Sequence, residues 1–391
     1  MRPLVLTATT VISAIGRGTA PTLAALRERH GGLTPCDFLG ITTGFIGRVP
    51  GVETHALPPE FSRFDCRNNR LADMALRTDG FAAAVAAARE RLGAGRIAVV
   101  VGSSTSGILS TEAAYRARDP DGGALPEKFD YDHSHEMFSL AHFVSAALGL
   151  RGPAMTISTA CASSAQTFID AHHLIAAGVC DAAIVGGADS LCRMTLRGFA
   201  SLELISPVPC APCDADRAGI SIGEAAGFAL LERDGEGVAL VGCGASSDGY
   251  HMSAPHPEAA GAVAAMRAAL ASAGLPPADI DYVNLHGTGT RANDAMEDRA
   301  MLTVFGAGTP CSSTKGWTGH TLGASGIVAA VISSLCLRCG FLPGGLNITT
   351  LDPAFDAHVL LHNVTGQVRH VMTNAFGFGG INCSLVFAAG A

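Results

Sequence analysis

Four short stretches carry residue types that together can do covalent chemistry. In "TISTACASSAQTF" (156–168) a single cysteine, Cys161, ends an apolar run and opens a helical pattern, with only small residues beside it. A thiol at a helix N-terminus faces the positive end of the helix dipole and unpaired backbone N–H groups, and both favour the thiolate and lower its pKa. The same pattern suits a buried core thiol, so this stretch alone leaves both readings open. In "NLHGTGTRANDAMEDRA" (284–300) His286 stands where a strand ends in a Gly/Thr turn, a frequent place for catalytic side chains in α/β proteins. Asp294 and Glu297 follow at i,i+3 spacing, suited to bracing that loop or to forming a solvated first turn. In "SSTKGWTGHTLGASG" (312–326) Lys315 and His320 share a Gly-rich segment ahead of an apolar helix. Lys315 is one of only two lysines, Lys128 being the other; the remaining basic residues are arginines. A cation beside a histidine holds the ring neutral. In "NAFGFGGIN" (374–382) glycines surround Phe378, which suits a tight turn or a mobile aromatic whose neighbouring backbone N–H groups cradle an oxyanion.

The rest of the chain has to hold these stretches together. Its 391 residues are 48% hydrophobic and 15% charged, a composition for a large buried core. The net charge of −8 argues against a general attraction to nucleic acid or an anionic membrane. Strand and helix patterns alternate, which predicts an α/β fold. Buried strands are expected over 96–104 and 182–190, and helices over 81–93, 257–274 and 321–338. Segments 227–234 and 237–247 read as a strand pair joined by an acidic Gly turn, and the last twenty residues as two strands around a Gly-rich turn. A strand, a small-residue turn and an apolar helix occur around Cys161 and again around His320. This predicts two related halves, 1–240 with the cysteine and 241–391 with the His/Lys motifs. Twelve cysteines are too sparse for a disulfide scaffold. The opening "MRPLVLTATTVISAIG" reads as a first strand rather than a signal peptide, and the apolar run 326–337 as too short to span a bilayer. The expectation is a reduced, cytoplasmic protein.

Taken together and in this order, the four stretches resemble the β-ketoacyl-[acyl-carrier-protein] synthases, elongating condensing enzymes of the thiolase superfamily. "STACASS" is similar to their nucleophile motif, "HGTGT" and "TGHTLGASG" to their two histidine motifs, and "NAFGFGGIN" to their gating loop. The resemblance covers nearly the whole chain and implies a five-layered αβαβα thiolase-like fold. It implies that Cys161 takes an acyl chain as a thioester, and that His286 and His320 bind a malonyl thioester and promote loss of CO2. Lys315 would support the histidine site, and the backbone N–H groups of Cys161 and Phe378 would form the oxyanion hole, with Phe378 as a gate. Ser253, Thr288 and Thr290 would meet the phosphopantetheine arm, and Thr105 would lie near the acyl pocket floor. Arg63, Arg67 and Arg70 would dock an acidic acyl carrier protein. No cofactor or metal is implied. A homodimer is the family expectation, or a heterodimer with a related subunit.

The chain departs from the family pattern in places. The glutamate usual nine residues after the second histidine is Ala329 here. The segments between Ser206 and Asp214, and between Cys161 and His286, are short. These compact features resemble synthases of secondary polyene pathways, such as aryl polyenes. Cys210-x-x-Cys213 and Cys336-x-x-Cys339 have zinc-like spacing, but the second pair falls at the end of an apolar helix. A biosynthetic thiolase needs a second cysteine that Cys383 does not match. The competing class is a non-catalytic chain-length-factor-like partner of another synthase, which shares the fold and lacks the nucleophile; Cys161, His286, Lys315 and His320 together favour the enzyme.

Overall fold

The computed structural model describes residues 1–390. Ten strands form the body of one large sheet: β1 (Leu4–Ser13), β2 (Ile97–Gly102), β3 (Ala154–Ile157), β4 (Ala182–Asp189), β5 (Ala225–Glu232), β6 (Val238–Ser247), β7 (Tyr282–Asn284), β8 (Cys311–Ser312), β9 (His370–Gly377) and β10 (Ile381–Ala388). The spatial order is β8-β7-β9-β10-β6-β1-β5-β4-β2-β3. Read outward from the centre, the two sides match. β1 pairs antiparallel with β5, β5 antiparallel with β4, then β4, β2 and β3 run parallel. On the other side β6 pairs antiparallel with β10, β10 antiparallel with β9, then β9, β7 and β8 run parallel. The seam is the antiparallel pair β1–β6, with Leu4 opposite Leu240.

The expected pairing of 227–234 with 237–247 is therefore corrected. β5 and β6 are consecutive in the chain, but β1 lies between them and pairs with both. β1 is a long strand with a mostly apolar sequence and satisfies the edges of both neighbours. A local turn signal cannot reveal a strand arriving from more than 200 residues away.

Helices form the other layers. α1 (Arg67–Leu76), α2 (Phe81–Leu92) and α3 (Ser139–Leu148) pack on the outside of the first half, and α5 (Ala260–Ala273) and α6 (Arg291–Phe305) on the second. Between the two halves lie α4 (Ser163–Ala176) and α7 (Ser325–Cys339), which pack against each other and against strands of both halves. The result is the five-layered αβαβα arrangement. Being enclosed on all sides, α7 is buried from Ser325 to Leu337, which explains its uniform apolarity. With the turn before it, this helical stretch runs Leu322–Cys339, longer than the expected apolar run and long and apolar enough by composition to cross a bilayer. Here it fills the core, 83% buried.

The contact between α4 and α7 depends on small residues. A Cβ on Gly326 would lie 2.4 Å from the Ala165 backbone N, so any larger residue would push the two helices apart. Two hydrogen bonds tie the helix starts: Ser325 Oγ donates to the Cys161 carbonyl (3.0 Å) and Ile327 N–H to Ser164 Oγ (2.9 Å).

Candidate active site

Cys161 sits in a sharp turn between β3 and α4. Ala160 has φ +49°, a left-handed conformation uncommon for a residue with a side chain, and opens a tight turn, Ala160–Ala162, that runs straight into α4. Ser163 locks the turn: its hydroxyl donates to the Ala160 carbonyl (2.6 Å) and accepts from the Thr159 N–H (2.9 Å). The Phe378 backbone N–H is directed at the cysteine sulfur. Gly377 makes that approach possible, since a Cβ there would lie 2.7 Å from the Thr159 carbonyl.

The expected low thiol pKa is corrected. Burial pushes the Cys161 thiol up to about 11, against the opposing pull of the Lys315 charge and the Phe378 N–H. Desolvation of the buried group outweighs both, so the resting group is a neutral thiol.

The histidines stand across the cavity. His286 and His320 are buried, with ring centres 5.3 Å apart and nearly perpendicular planes. The Leu322 N–H donates to His320 Nδ1 (3.2 Å), which assigns the proton to Nε2. Lys315 Nζ lies 3.5 Å from His286 Nδ1 and donates to the His286 carbonyl. Both imidazoles are held well below the usual histidine range, first by burial and then by the Lys315 cation. Both are therefore neutral near pH 7 and carry an N–H available for donation. Burial also lowers the Lys315 pKa.

Asp294 and Glu297 brace the loop; neither is a solvated first turn. Glu297 accepts from the N–H groups of His286 (2.8 Å) and Gly287 (2.7 Å) and from Asn374 Nδ2 (3.2 Å). Burial raises its pKa to about 7 despite these donors. Asp294 accepts from the Thr288 and Gly289 N–H groups (3.0 and 3.2 Å) and from that of Cys213 (2.9 Å). These two carboxylates fix the backbone that carries His286. At the position where the resemblance implies a glutamate, Ala329 offers only its carbonyl to Asn284 Nδ2 (3.4 Å), and the buried Asn284 Oδ1 and Thr373 Oγ1 lack partners.

A cavity of about 360 Å³ joins these parts; Cys161, His286, His320, Phe378, Ser253, Thr288 and Thr290 all line it. Thr290 also caps α6, its hydroxyl accepting from the Asn293 N–H (3.3 Å). Two neighbours escaped the sequence reading. Phe199 packs against Phe378 with ring centres 5.6 Å apart, and the buried Arg217, salt-bridged to Asp352 (2.5 Å), forms part of the wall. Phe199 carries no local signal, because its partner lies 179 positions away.

Other expected residues are placed elsewhere. Thr105 is fully buried outside the cavity lining, with its hydroxyl donated to Asp189 (2.9 Å). Arg67 turns inward to Glu224 (2.6 Å) and also reaches Glu53 (3.0 Å). Arg63 and Arg70 are on the surface but engaged by Asp130 (2.9 Å) and Asp65 (2.5 Å). Cys213 and Cys336 belong to different core clusters, so the two cysteine pairs form no common site.

In this five-layered fold a sharp turn presents a thiol to a cavity whose far side holds two neutral histidines, an arrangement that suits a condensing enzyme. Residues 60–236 match the model of the beta-ketoacyl synthase N-terminal domain and residues 238–349 that of its C-terminal domain, so the chain belongs to the β-ketoacyl synthase family, an acyltransferase class. It is 31% identical to 3-oxoacyl-[acyl-carrier-protein] synthase 2 of Vibrio cholerae serotype O1, covering 99% of both chains, and 36% identical to nodulation protein E of Rhizobium meliloti (strain 1021) over 75% of each. Among solved structures, it is similar to a chain from the complex of a ketosynthase with its chain length factor from Xenorhabdus doucetiae. That match has a TM-score of 0.91 and 39% identity, covering 99% of this chain and 98% of that one.

Proposed function

We propose that this chain elongates carrier-bound acyl groups by decarboxylative Claisen condensation. One observation carries the reading: a single cavity holds Cys161, with the Phe378 N–H at its sulfur, opposite His286 and His320 and in front of the buried Lys315. In the first stage the Cys161 sulfur attacks the carbonyl of an acyl thioester. The oxyanion forms at the backbone N–H groups of Cys161 and Phe378, and the thiol proton leaves with the carrier sulfur. In the second stage a malonyl thioester sits with its carbonyl oxygen at the two histidine N–H groups. Loss of CO2 leaves an enolate there, its carbon attacks the Cys161 thioester, and the sulfur departs and regains a proton. The products are a 3-oxoacyl-carrier thioester, CO2 and free enzyme. Neutral imidazoles suit this task because they donate without having to be deprotonated, and such a donor is typically worth about 10²–10³ in rate.

The phosphopantetheine arm would run past Ser253, Thr288 and Thr290, which line the same cavity. β3 is an edge strand with all four residues half-buried, which supports a second chain beside it, either a copy or a related subunit. Twelve free cysteines suit a reducing cytoplasm. The compact loops favour a secondary polyene pathway over primary fatty-acid synthesis.

Intact-protein mass spectrometry after incubation with acyl-carrier thioesters tests the reading. The expected result is one added acyl group on the wild type and none on Cys161→Ala. A folded wild type with a free thiol that accepts no acyl chain would make this a chain-length-factor-like partner instead.

A further inference from the structure

One buried carboxylate takes no part in the proposed reaction, yet it lies against the turn that precedes α7. Asp189 ends β4 and is fully buried. Six donors meet it. Oδ1 accepts from Ser103 Oγ (2.8 Å), the Ser104 N–H (2.8 Å), the Thr105 N–H (2.9 Å) and Thr105 Oγ1 (2.9 Å). Oδ2 accepts from Ser104 Oγ and from the Gly323 N–H (2.6 Å). Five of these donors belong to the loop that follows β2, in the same half as Asp189. The sixth comes from the other half, 134 positions along the chain. Gly323 is what allows that contact: a Cβ there would lie 2.7 Å from Asp189 Oδ2 and 2.9 Å from the Ser104 N.

Gly323 is the middle residue of the turn Leu322–Ala324. Leu322 has φ +51° and gives its N–H to His320 Nδ1 (3.2 Å), the contact that leaves the ring proton on Nε2. The next N–H along the chain goes to Asp189. Two consecutive amides of one turn thus face a histidine ring and a carboxylate. A left-handed leucine is not held by local preference, since that conformation costs a residue with a side chain about 1–2 kcal/mol. Something outside the turn has to hold it, and a hydrogen bond to a carboxylate is stronger than one between neutral groups. We infer that Asp189 is a positioning residue for the decarboxylation stage: it fixes the turn Leu322–Ala324, and the turn fixes His320 as an Nε2–H donor. This rests on the proposed condensation, in which that N–H meets the enolate oxygen. Asp189 acts on the ring through the backbone, so a residue of the first half sets the donor of the second.

Asp189→Asn and Gly323→Ala break the contact from opposite sides, and Ser104→Ala is the control. An asparagine keeps its oxygen where four donors point and turns its NH2 toward the Gly323 N–H, so that hydrogen bond is lost. Ser104→Ala removes a first-half hydroxyl from the same carboxylate and leaves the Gly323 N–H in place. Three quantities are read: the 15N shifts of the His320 ring, assigned against His320→Ala; labelled CO2 release from a malonyl-pantetheine thioester; and the rate of Cys161 acylation from an acyl-pantetheine thioester. In both test variants the His320 signals should move from the Nε2–H form toward a mixture of tautomers. The kcat for CO2 release should fall about 10- to 10²-fold with KM near the wild-type value. Acylation should hold in Gly323→Ala and hold or rise in Asp189→Asn, because the Asp189 charge is one of the influences that raise the Cys161 thiol. Ser104→Ala should lower the melting temperature alone. An unmoved tautomer in a folded test variant, an equal loss in both stages, or the same loss in Ser104→Ala overturns the assignment. If neither test variant folds, the wild type decides: an Nδ1–H ring or a fast-exchanging Gly323 amide overturns it, and an Nε2–H ring beside a protected Gly323 amide supports it. The two hypotheses fail separately. A wild type that releases no CO2, while the variants shift the tautomer, loses the condensation and keeps the positioning role.

Discussion

The two halves of this molecule make the same turn and spend it differently. In the first half a left-handed residue, Ala160 (φ +49°), opens the turn Ala160–Ala162 and α4 follows. In the second, Leu322 (φ +51°) opens Leu322–Ala324 and α7 follows. The first turn exposes a sulfur to the cavity. The second uses its first N–H to fix the tautomer of His320, two residues upstream. One elbow presents a nucleophile, the other positions a hydrogen-bond donor. The Ser325–Cys161 and Ile327–Ser164 hydrogen bonds join the two elbows directly, so neither can shift without the other. Two matching turns thus set a thiol and a histidine into one cavity, where the proposed reaction would use one for each stage.

The largest expected effect separates the two roles. His320→Ala should leave acyl transfer to Cys161 close to the wild-type rate while lowering release of labelled CO2 from a malonyl thioester by about 10²–10³. Single-turnover acylation and CO2 release measured on one preparation check this. Equal losses in both steps would mean that the second elbow also serves the first stage.

The next effect concerns Glu297, which fixes the His286 loop in the second half. Its pKa rises from 4.5 in the unfolded chain to about 7 in the fold. The native state therefore binds more protons than the unfolded state across that window. The contribution is fully present below about pH 4.5 and is lost as pH rises to about 7, by up to about 3 kcal/mol. Glu297→Gln should remove this slope: its melting temperature relative to wild type should climb steadily from pH 5 to pH 7.5 in a thermal scan series. Parallel curves would show that Glu297 stays ionised.

The smallest effect tests the joint between the halves. Gly326→Ala places a methyl against the Ala165 backbone and should cost about 1–3 kcal/mol, seen as a lowered urea midpoint. Gly198 lies in another helix with open space around it, and Gly198→Ala should stabilise the protein by about 0.5–1 kcal/mol. Similar values for the two variants would mean that the elbows are not held at a fixed spacing.

Much of the site was legible because its groups sit in short contiguous motifs. Cys161, His286, Lys315, His320 and Phe378 each announce themselves by their glycine and small-residue neighbours, and the structure brings all five together. Properties set by distant residues were not legible. The cysteine pKa depends on how completely the other layers exclude water, which no local spacing reports. Arg67 reads as a surface cation until Glu224, 157 positions away, takes it inward. The adjacency of β5 and β6 fails because β1 arrives from the other end of the chain. Helices, strands of one apolar period and the C-terminal hairpin β9–β10 were readable; partnerships between strands distant in the chain were not.

The neutral resting state of Cys161 has a consequence for how the protein survives among reactive small molecules. With a pKa of about 11, almost none of the sulfur is ionised at neutral pH, so peroxides and soluble alkylating agents meet a poor target. On the proposed reaction, the sulfur would react once a thioester carbonyl fills the cavity beside it. A covalent inhibitor of this chain would therefore gain more from filling the cavity like an acyl tail than from a hotter warhead.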